Sequence, residues 1–189
     1  MDIDIILSID GDIYCVSENR LIKNIKERIQ YKNKLEIYDR DLIKINEYDC
    51  NVSFYIEDIL ILGTKNILRI FIRDQSLEIY LEEDIKCITS DYLFSAIYCG
   101  SSSGKIYKIN MDKSKNEILE YHVTDVKYLK MSICNRFLYS CDSDNNILIW
   151  DTVFNIVLDR IRMDTEVRNM DCFLMSQTLS EEKIPIRDI

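Results

Sequence analysis

The stretch that decides the fold is FLYSCDSDNNILIWD, at residues 137–151. Two apolar runs, Phe137 to Tyr139 and Ile147 to Trp150, flank a turn made of Ser, Asp and Asn residues. Ile, Tyr and Trp favour strands, whereas Asp and Asn favour turns. The stretch therefore predicts two antiparallel strands joined by a tight turn.

This strand-turn-strand unit occurs four times in the chain. It recurs at Asp12 to Ile25, Asp58 to Ile72, Ala96 to Asn110 and Phe137 to Asp151. Equivalent positions at the end of the second strand (Asn24, Phe71, Ile109 and Trp150) are separated by 47, 38 and 41 residues. Each interval between units holds two further apolar runs, and no segment sustains the apolar period of a helix. The pattern predicts an all-β chain of four-stranded repeats.

The fourth unit resembles the WD-repeat family. From His122 onward the chain matches the family pattern GHxxxVxxLxFS, a turn, then LxSGSxDGxIxIWD, with Val126 and Leu129 on the apolar positions. Tyr121, Cys141 and Asn145 stand where the family has glycine. The only His and the only Trp of the chain both fall on motif positions. The resemblance implies an all-β, WD-repeat-like β-propeller of about four blades, partial or reduced.

The spacing of the units divides the chain into blades at approximately residues 1–45, 46–83, 84–124 and 125–175. A C-terminal tail at residues 176–189 contains the only proline, Pro185. A blade exposes two sheet edges unless its ring closes. We therefore expect the propeller to need a partner or an oligomer that covers its open edges.

The resemblance also implies a buried hydrogen-bonded tetrad made of His122, Ser140, Asp144 and Trp150. Such a network pins the outer part of a blade to its inner turn. The alternative is a hydrolase triad of Ser, His and Asp. No GxSxG motif accompanies these residues, and the repeat spacing already explains them. We interpret the tetrad as structural and expect no catalytic residue.

Composition narrows the possible functions. The 189 residues carry 24 Lys and Arg against 33 Asp and Glu, a formal charge of -9, which argues against coating by nucleic acid or anionic lipid. The chain has one histidine and therefore too few imidazole ligands for most His-based metal sites, so we expect no cofactor and no metal. The N-terminal sequence lacks the basic region of a signal peptide, and the seven cysteines, odd in number and without a CxxC pair, suit a reducing compartment. We expect a soluble, intracellular protein with no membrane contact.

Three further segments have a functional and a simpler interpretation. Gly100 to Lys105 looks like a phosphate loop but has the wrong spacing and precedes a strand, so a β-turn is favoured. Acidic pairs such as Glu82-Glu83 could serve as acid-base groups, yet solubility explains them as well. A basic segment is either a solvated face or a contact for RNA or an acidic partner; its candidate residues are Arg20, Lys23, Lys26, Arg28, Lys32 and Lys34.

Within the WD-repeat family, residues 85–189 look most like the WD-repeat subunit of the Rix/PELP-type complex, which acts on precursors of the large ribosomal subunit. The similar features are Ile97 to Met111, the blade ending ILIWDTVFNIVLDRIRM, and Glu166 to Met175. The resemblance implies a non-enzymatic scaffold for protein-protein interactions in ribosome biogenesis and rRNA processing. Its partners would be other subunits, such as those of a pre-ribosomal particle, and its place would be the nucleus. The alternatives are a cytoplasmic adaptor of another complex and a small enzyme using pocket carboxylates.

Overall fold

The computed structural model describes residues 5–9, 12–17, 20–25, 34–38, 44–56, 59–72, 75–112, 115–168 and 170, with side chains from Tyr48 onward. Every regular element in these ranges is a β-strand. No helix long and apolar enough to cross a membrane occurs in this part of the chain.

Seventeen strands lie in the described ranges. They are β1 (Ile5–Ile9), β2 (Asp12–Ser17), β3 (Arg20–Ile25), β4 (Lys34–Tyr38), β5 (Lys44–Asp49), β6 (Val52–Ile56), β7 (Ile59–Thr64), β8 (Ile67–Ile72), β9 (Gln75–Tyr80), β10 (Ile85–Ser90), β11 (Ala96–Ser101), β12 (Lys105–Asn110), β13 (Glu117–Glu120), β14 (Val126–Met131), β15 (Phe137–Asp142), β16 (Asn146–Asp151) and β17 (Ile156–Arg162).

The strands form four antiparallel sheets. Three are four-stranded meanders, which we name the second blade (β6 to β9), the third blade (β10 to β13) and the fourth blade (β14 to β17). The predicted strand-turn-strand units are the antiparallel hairpins β2–β3, β7–β8, β11–β12 and β15–β16. The all-β, partial-propeller prediction is therefore confirmed.

The first sheet departs from the four-stranded expectation. Its order is β3-β2-β1-β4-β5, because β4 pairs with the free edge of β1 instead of continuing from β3. Five strands thus lie in one sheet, which extends to Asp49 at the end of β5. The repeat spacing alone could not show this, since pairing with an open edge is decided by three-dimensional proximity.

The blades stack through the faces of their sheets, with β10 lying against both β6 and β14. One buried apolar cluster lies between the second and third blades and includes Ile61, Leu68, Ile97 and Ile109. A second cluster lies between the third and fourth blades and includes Ala96, Val126, Leu138 and Trp150. All six residues of β11 are buried, as expected for a strand covered on both faces.

The tight turns of the fourth blade and the β11–β12 turn use residues that tolerate a left-handed backbone. Asn135, Asn145 and Asn155 have φ of 58°, 62° and 56° in the fourth blade. Gly104 has φ of 92° in the turn between β11 and β12, and a Cβ there would lie 2.5 Å from the carbonyl oxygen of His122. The segment that looked like a phosphate loop is thus a turn between two strands.

A methyl group at Gly100 tests the packing between the third and fourth blades. A Cβ there would lie 2.6 Å from Cys87 Sγ and 2.8 Å from Val126 Cβ. We expect Gly100→Ala to lower the free energy of unfolding by about 1 to 3 kcal/mol, because the packed blades must move apart. Urea titration measures the change. The exposed Ser102→Ala is the control and should stay within about 0.5 kcal/mol of the parent; an equal loss in both variants would contradict the packing argument.

Candidate functional site

A buried chain of hydrogen bonds links four polar side chains in the fourth blade. Trp150 Nε1 donates to Ser140 Oγ at 2.8 Å. Ser140 Oγ lies 2.6 Å from His122 Nε2, and His122 Nδ1 lies 3.0 Å from Asp142 Oδ2. One assignment of protons satisfies every member: the Ser140 hydroxyl donates to Nε2, and Nδ1–H donates to the carboxylate. The chain therefore runs from an indole donor to a carboxylate acceptor without an unpaired group.

The aspartate of this chain is Asp142, so the prediction of Asp144 is wrong. Ser140 and Asp142 are two residues apart on β15, and alternate residues of a strand share a face. Asp144 follows in the turn, beyond the end of the strand, where its backbone N–H donates to Asp142 Oδ1 at 3.0 Å. In the family pattern, the position of the aspartate falls on Asp144. The alternation of side chains along a strand instead indicates Asp142, because this residue shares a face with Ser140.

Asp142 also organises the turn between β15 and β16. Its Oδ1 accepts hydrogen bonds from the backbone N–H of Asn146 and from the Asn146 side chain, at 2.8 and 3.1 Å. Burial would raise the pKa of Asp142, but the hydrogen bonds from Asn146 and His122 outweigh burial and lower it. One carboxylate therefore holds both the imidazole and the turn.

Burial keeps the imidazole neutral. It is the main cause that lowers the pKa of His122, and the hydrogen bond with Asp142 opposes it. Ser140 is 0% exposed, and its oxygen already accepts the indole N–H. The order serine, histidine, aspartate is that of a hydrolase triad, but here the hydroxyl has no access to a substrate and its oxygen is already engaged.

The corresponding positions between the second and third blades are apolar. Leu81 precedes Ile85 by four residues, as His122 precedes Val126. Cys99 and Ile109 occupy the places of Ser140 and Trp150 in the β11–β12 hairpin. All three pack in the cluster between these blades. Apolar side chains thus fill the junction between the second and third blades, whereas a fully hydrogen-bonded polar chain lies at the junction between the third and fourth blades.

The predicted basic segment is only partly described. Arg20 and Lys23 lie on β3 and Lys34 lies on β4, in the same sheet. Lys26, Arg28 and Lys32 lie outside the described residues, as does the tail at residues 176–189. The possible RNA contact therefore stays a prediction.

The predicted acidic pair lies around a lysine. Lys105 Nζ is 3.1 Å from Glu83, 3.9 Å from Glu82 and 3.8 Å from Glu120. Hydrogen bonding from Ser103 is the largest influence on the pKa of Glu83 and lowers it. Among the described residues, no group of three or more His, Cys, Asp or Glu side chains is placed to hold a metal ion.

The structure reveals an exposed apolar surface that the sequence analysis missed. It lies on the β10–β11, β14–β15 and β16–β17 turns, and we name it the turn-face patch: Tyr92, Leu93, Ile133, Val153 and Phe154. Hydrogen bonds join these turns, from the Tyr92 N–H to Asn135 Oδ1 and from Thr152 Oγ1 to the Asn135 carbonyl. The patch thus combines side chains from turns far apart in the sequence. A signal was present, since turns are normally polar and these contain large apolar residues.

A groove of about 630 Å³ lies between β13 and β17, the outer strands of the third and fourth blades. Leu119 and Trp150 are buried residues in its lining. Its exposed apolar lining residues are Ile118, Tyr121, Ile156 and Leu158. The Tyr121 ring meets the Trp150 ring edge to face, with 6.4 Å between centroids. This groove, too, was not predicted from the sequence.

Comparison with known proteins supports the fold and no particular family. No family model matches the chain, and no curated protein sequence matches it. Among solved structures, the crystal structure of Kluyvelomyces marxianus Hsv2 matches with a TM-score of 0.63 and 10% sequence identity. The match covers 85% of this chain and 64% of that chain. The fold is that of a partial β-propeller.

Two neighbouring aspartates provide a matched test of the polar chain. Asp142→Asn replaces an acceptor by an amide that faces several donors, and we expect a loss of about 1 to 3 kcal/mol in the free energy of unfolding. Asp144→Asn makes the same chemical change in the turn and should cost less than about 0.5 kcal/mol. Chemical denaturation of the two variants compares them directly. A larger loss for Asp144→Asn would restore the original assignment.

Because the chain has a single histidine, the change of stability between pH 7 and pH 5 can be assigned to His122. The folded state holds the pKa of His122 below its usual 6.5, so the unfolded chain binds more protons and stability falls as pH drops below about 6.5. Asp142, whose pKa is held below 3.8, adds a further loss below that pH. We expect the melting temperature to fall between pH 7 and pH 5, and His122→Gln to flatten this interval. An unchanged slope in His122→Gln would contradict the buried neutral imidazole.

Proposed function

We propose that this protein is a non-enzymatic β-propeller scaffold that docks other proteins within a multisubunit assembly. The observation that carries the proposal is the turn-face patch. Leu93 is 81% exposed, and Val153 and Phe154 are each 68% exposed. Contiguous apolar surface on a soluble domain is typical of a protein-protein contact.

The turns that bear the patch are held in place. Tyr92 and Thr152 tie the three turns together, and Lys108 Nζ donates to the Thr152 carbonyl at 3.1 Å. The Asp151 carboxylate accepts the backbone N–H groups of Val153 and Phe154 at 2.9 and 3.2 Å. Because the turns are already ordered, binding costs little conformational entropy. A rigid presentation of apolar side chains suits a scaffold.

The buried polar chain supports the non-enzymatic part of the proposal. Its serine has no exposed surface, and the serine, imidazole and carboxylate satisfy one another. We expect Ser140 to remain unlabelled by fluorophosphonate probes in the folded protein, because a nucleophile must reach its electrophile. Stoichiometric labelling of Ser140, located by peptide mapping, would overturn this part of the proposal.

The particular assembly that we propose is one that matures the large ribosomal subunit, in the nucleus. The support is the resemblance of residues 85–189 to the WD-repeat subunit of the Rix/PELP-type complex. In such an assembly the basic residues from Arg20 to Lys34 would contact RNA through their local positive charge. The chain matches no family model, so this assignment rests on those residues alone.

The test is affinity capture of the tagged full-length protein from native lysate, with quantitative mass spectrometry. Leu93→Ser/Phe154→Ser removes two strongly exposed apolar side chains of the patch and should reduce recovery of its partner about tenfold. Val123→Ser is the matched control, since Val123 is 88% exposed but lies on the β13–β14 connection, at the opposite end of the blade.

The outcomes separate the general proposal from the particular one. A set of proteins recovered with the parent and with Val123→Ser, but lost with the double variant, supports docking through the turn-face patch. Large-subunit precursor proteins within that set support the ribosomal assignment, and their absence rejects it. If the double variant captures the same proteins as the parent, docking through this face is rejected.

A further inference from the structure

The fourth blade has a second face, turned away from the third blade, which we name the far face. The pairing register places one row of residues across its four strands: Tyr128, Cys141, Ile147 and Ile161. Leu148 packs in the cluster with the third blade and follows Ile147 in β16, and neighbouring residues of a strand point to opposite faces. The row therefore lies on the side that the third blade does not cover.

The corresponding row of the third blade is covered by the fourth blade. It consists of Cys87, Gly100, Ile106 and Leu119. Ile106 and Leu119 are 0% and 4% exposed and pack in the cluster with residues of the fourth blade. In the far-face row, Ile161 is 43% exposed, and Tyr128 and Ile147 are half-buried. The far face thus has the apolar residues of a blade junction, and no described strand packs against it as β14 packs against β10 and β11.

The chain approaches this face after it leaves β17. The Tyr128 hydroxyl donates to the Arg168 carbonyl at 2.8 Å, and the Val167 N–H donates to Asn145 Oδ1 at 3.0 Å. Tyr128 belongs to the far-face row and lies on β14, the first strand of the sheet. These two hydrogen bonds therefore bring the segment that begins at Val167 to the β14 side of the far face.

This connection repeats the one that leads from the second blade into the third. The backbone N–H of Leu81 donates to the carbonyl of Asn66, the residue before β8, at 2.8 Å. The N–H of Met163 donates in the same way to the carbonyl of Asn145, the residue before β16, at 3.0 Å. Strand β10 begins four residues after Leu81, and Val167 stands four residues after Met163. Val167 thus holds the position at which the first strand of a blade begins.

The residues from Val167 onward also have the apolar spacing of such a strand. In β14 the first, fourth and sixth residues are buried against the third blade: Val126, Leu129 and Met131. The pairing of β10 and of β14 is irregular after the first residue, which makes the first apolar interval three residues long. The same positions counted from Val167 are also apolar: Val167, Met170 and Cys172.

We propose that residues 167–175 dock on the far face of the fourth blade and form the first strand of a fifth blade. Val167, Met170 and Cys172 contact the far face, and Arg168 points to solvent. Val167 and Met170 are half-buried and the Arg168 side chain is 87% exposed, as this orientation requires. The residues after Met170 lie outside the described part of the chain. The far face shares no residue with the turn-face patch, so this docking is independent of the proposed scaffold function.

Thiol labelling of the purified full-length protein tests the docking, because Cys172 lies in the segment. A maleimide is applied to the protein with and without denaturant, and peptide mapping gives the labelling rate of each cysteine. We expect Cys172 to react about tenfold more slowly in the folded protein. Cys134 is exposed and should lose little reactivity, whereas Cys99 is fully buried and reports unfolding of the core.

Variants within the segment test its orientation. Met170→Ser removes an apolar side chain that contacts the far face, and it should raise the labelling rate of Cys172 about tenfold. Arg168→Ser changes the exposed neighbour and should leave this rate unchanged. The labelling rate of Cys99 should stay slow in both variants, because neither residue belongs to the core.

A pair of tyrosine variants tests the surface that receives the segment. Tyr128→Phe removes the hydroxyl that donates to the Arg168 carbonyl and should raise the labelling rate of Cys172 about fivefold. Tyr80→Phe is the matched control, since it removes a hydroxyl that donates to Glu78 on the second blade. This control should leave the labelling rate of Cys172 at the parent value.

Several results would overturn the proposal. Cys172 that reacts as fast in the folded protein as in denaturant would show that the segment is not docked. Equal rates in the two segment variants, or in the two tyrosine variants, would place the segment elsewhere. If Met170→Ser also exposes Cys99, the molecule has unfolded, and the tyrosine pair decides the question. Protection that disappears on dilution, as a dimer dissociates in light scattering, would assign the far face to a second copy of the chain.

Discussion

Apolar packing between neighbouring sheets is the constraint on which the rest of the structure depends. A four-stranded blade has two faces, and since the described part of the chain contains no helix, these faces are buried against other blades. The clusters around Ile97 and around Leu138 do this on the two sides of the third blade. Gly100 shows how closely the sheets approach, since no side chain fits between it, Cys87 and Val126. The turns, the polar chain and the outer groove all take their positions from this packing.

The polar chain fills one junction between blades with hydrogen-bonded side chains in place of apolar ones. Where Leu81, Cys99 and Ile109 close one junction with apolar atoms, His122, Ser140 and Trp150 close the next with hydrogen bonds. The polar solution is stable only because every donor finds an acceptor, and Asp142 completes it. Because the folded state lowers the pKa of His122, we expect this junction to weaken in acid. A buried Ser-His-Asp arrangement therefore belongs to the architecture of the blade.

The turn-face patch lies where packing between the blades ends. The turn-face patch is built on connections that a rigid scaffold can vary without changing its core. A groove lies between the outer strands β13 and β17, with the buried residues Leu119 and Trp150 in its lining.

The sequence by itself determined the all-β class, the four hairpins and three of the four residues in the polar chain. Strand propensity, turn residues and repeat spacing are local properties, so a single chain reveals them. The sequence could also have predicted Asp142 instead of Asp144, because residues two apart on a strand share a face. Only the tertiary structure decided that β4 pairs with β1, that turns far apart in sequence form one apolar patch, and that β13 and β17 flank a groove. The reason is physical: each of these features joins segments whose proximity depends on how whole sheets pack, and no local pattern records that packing.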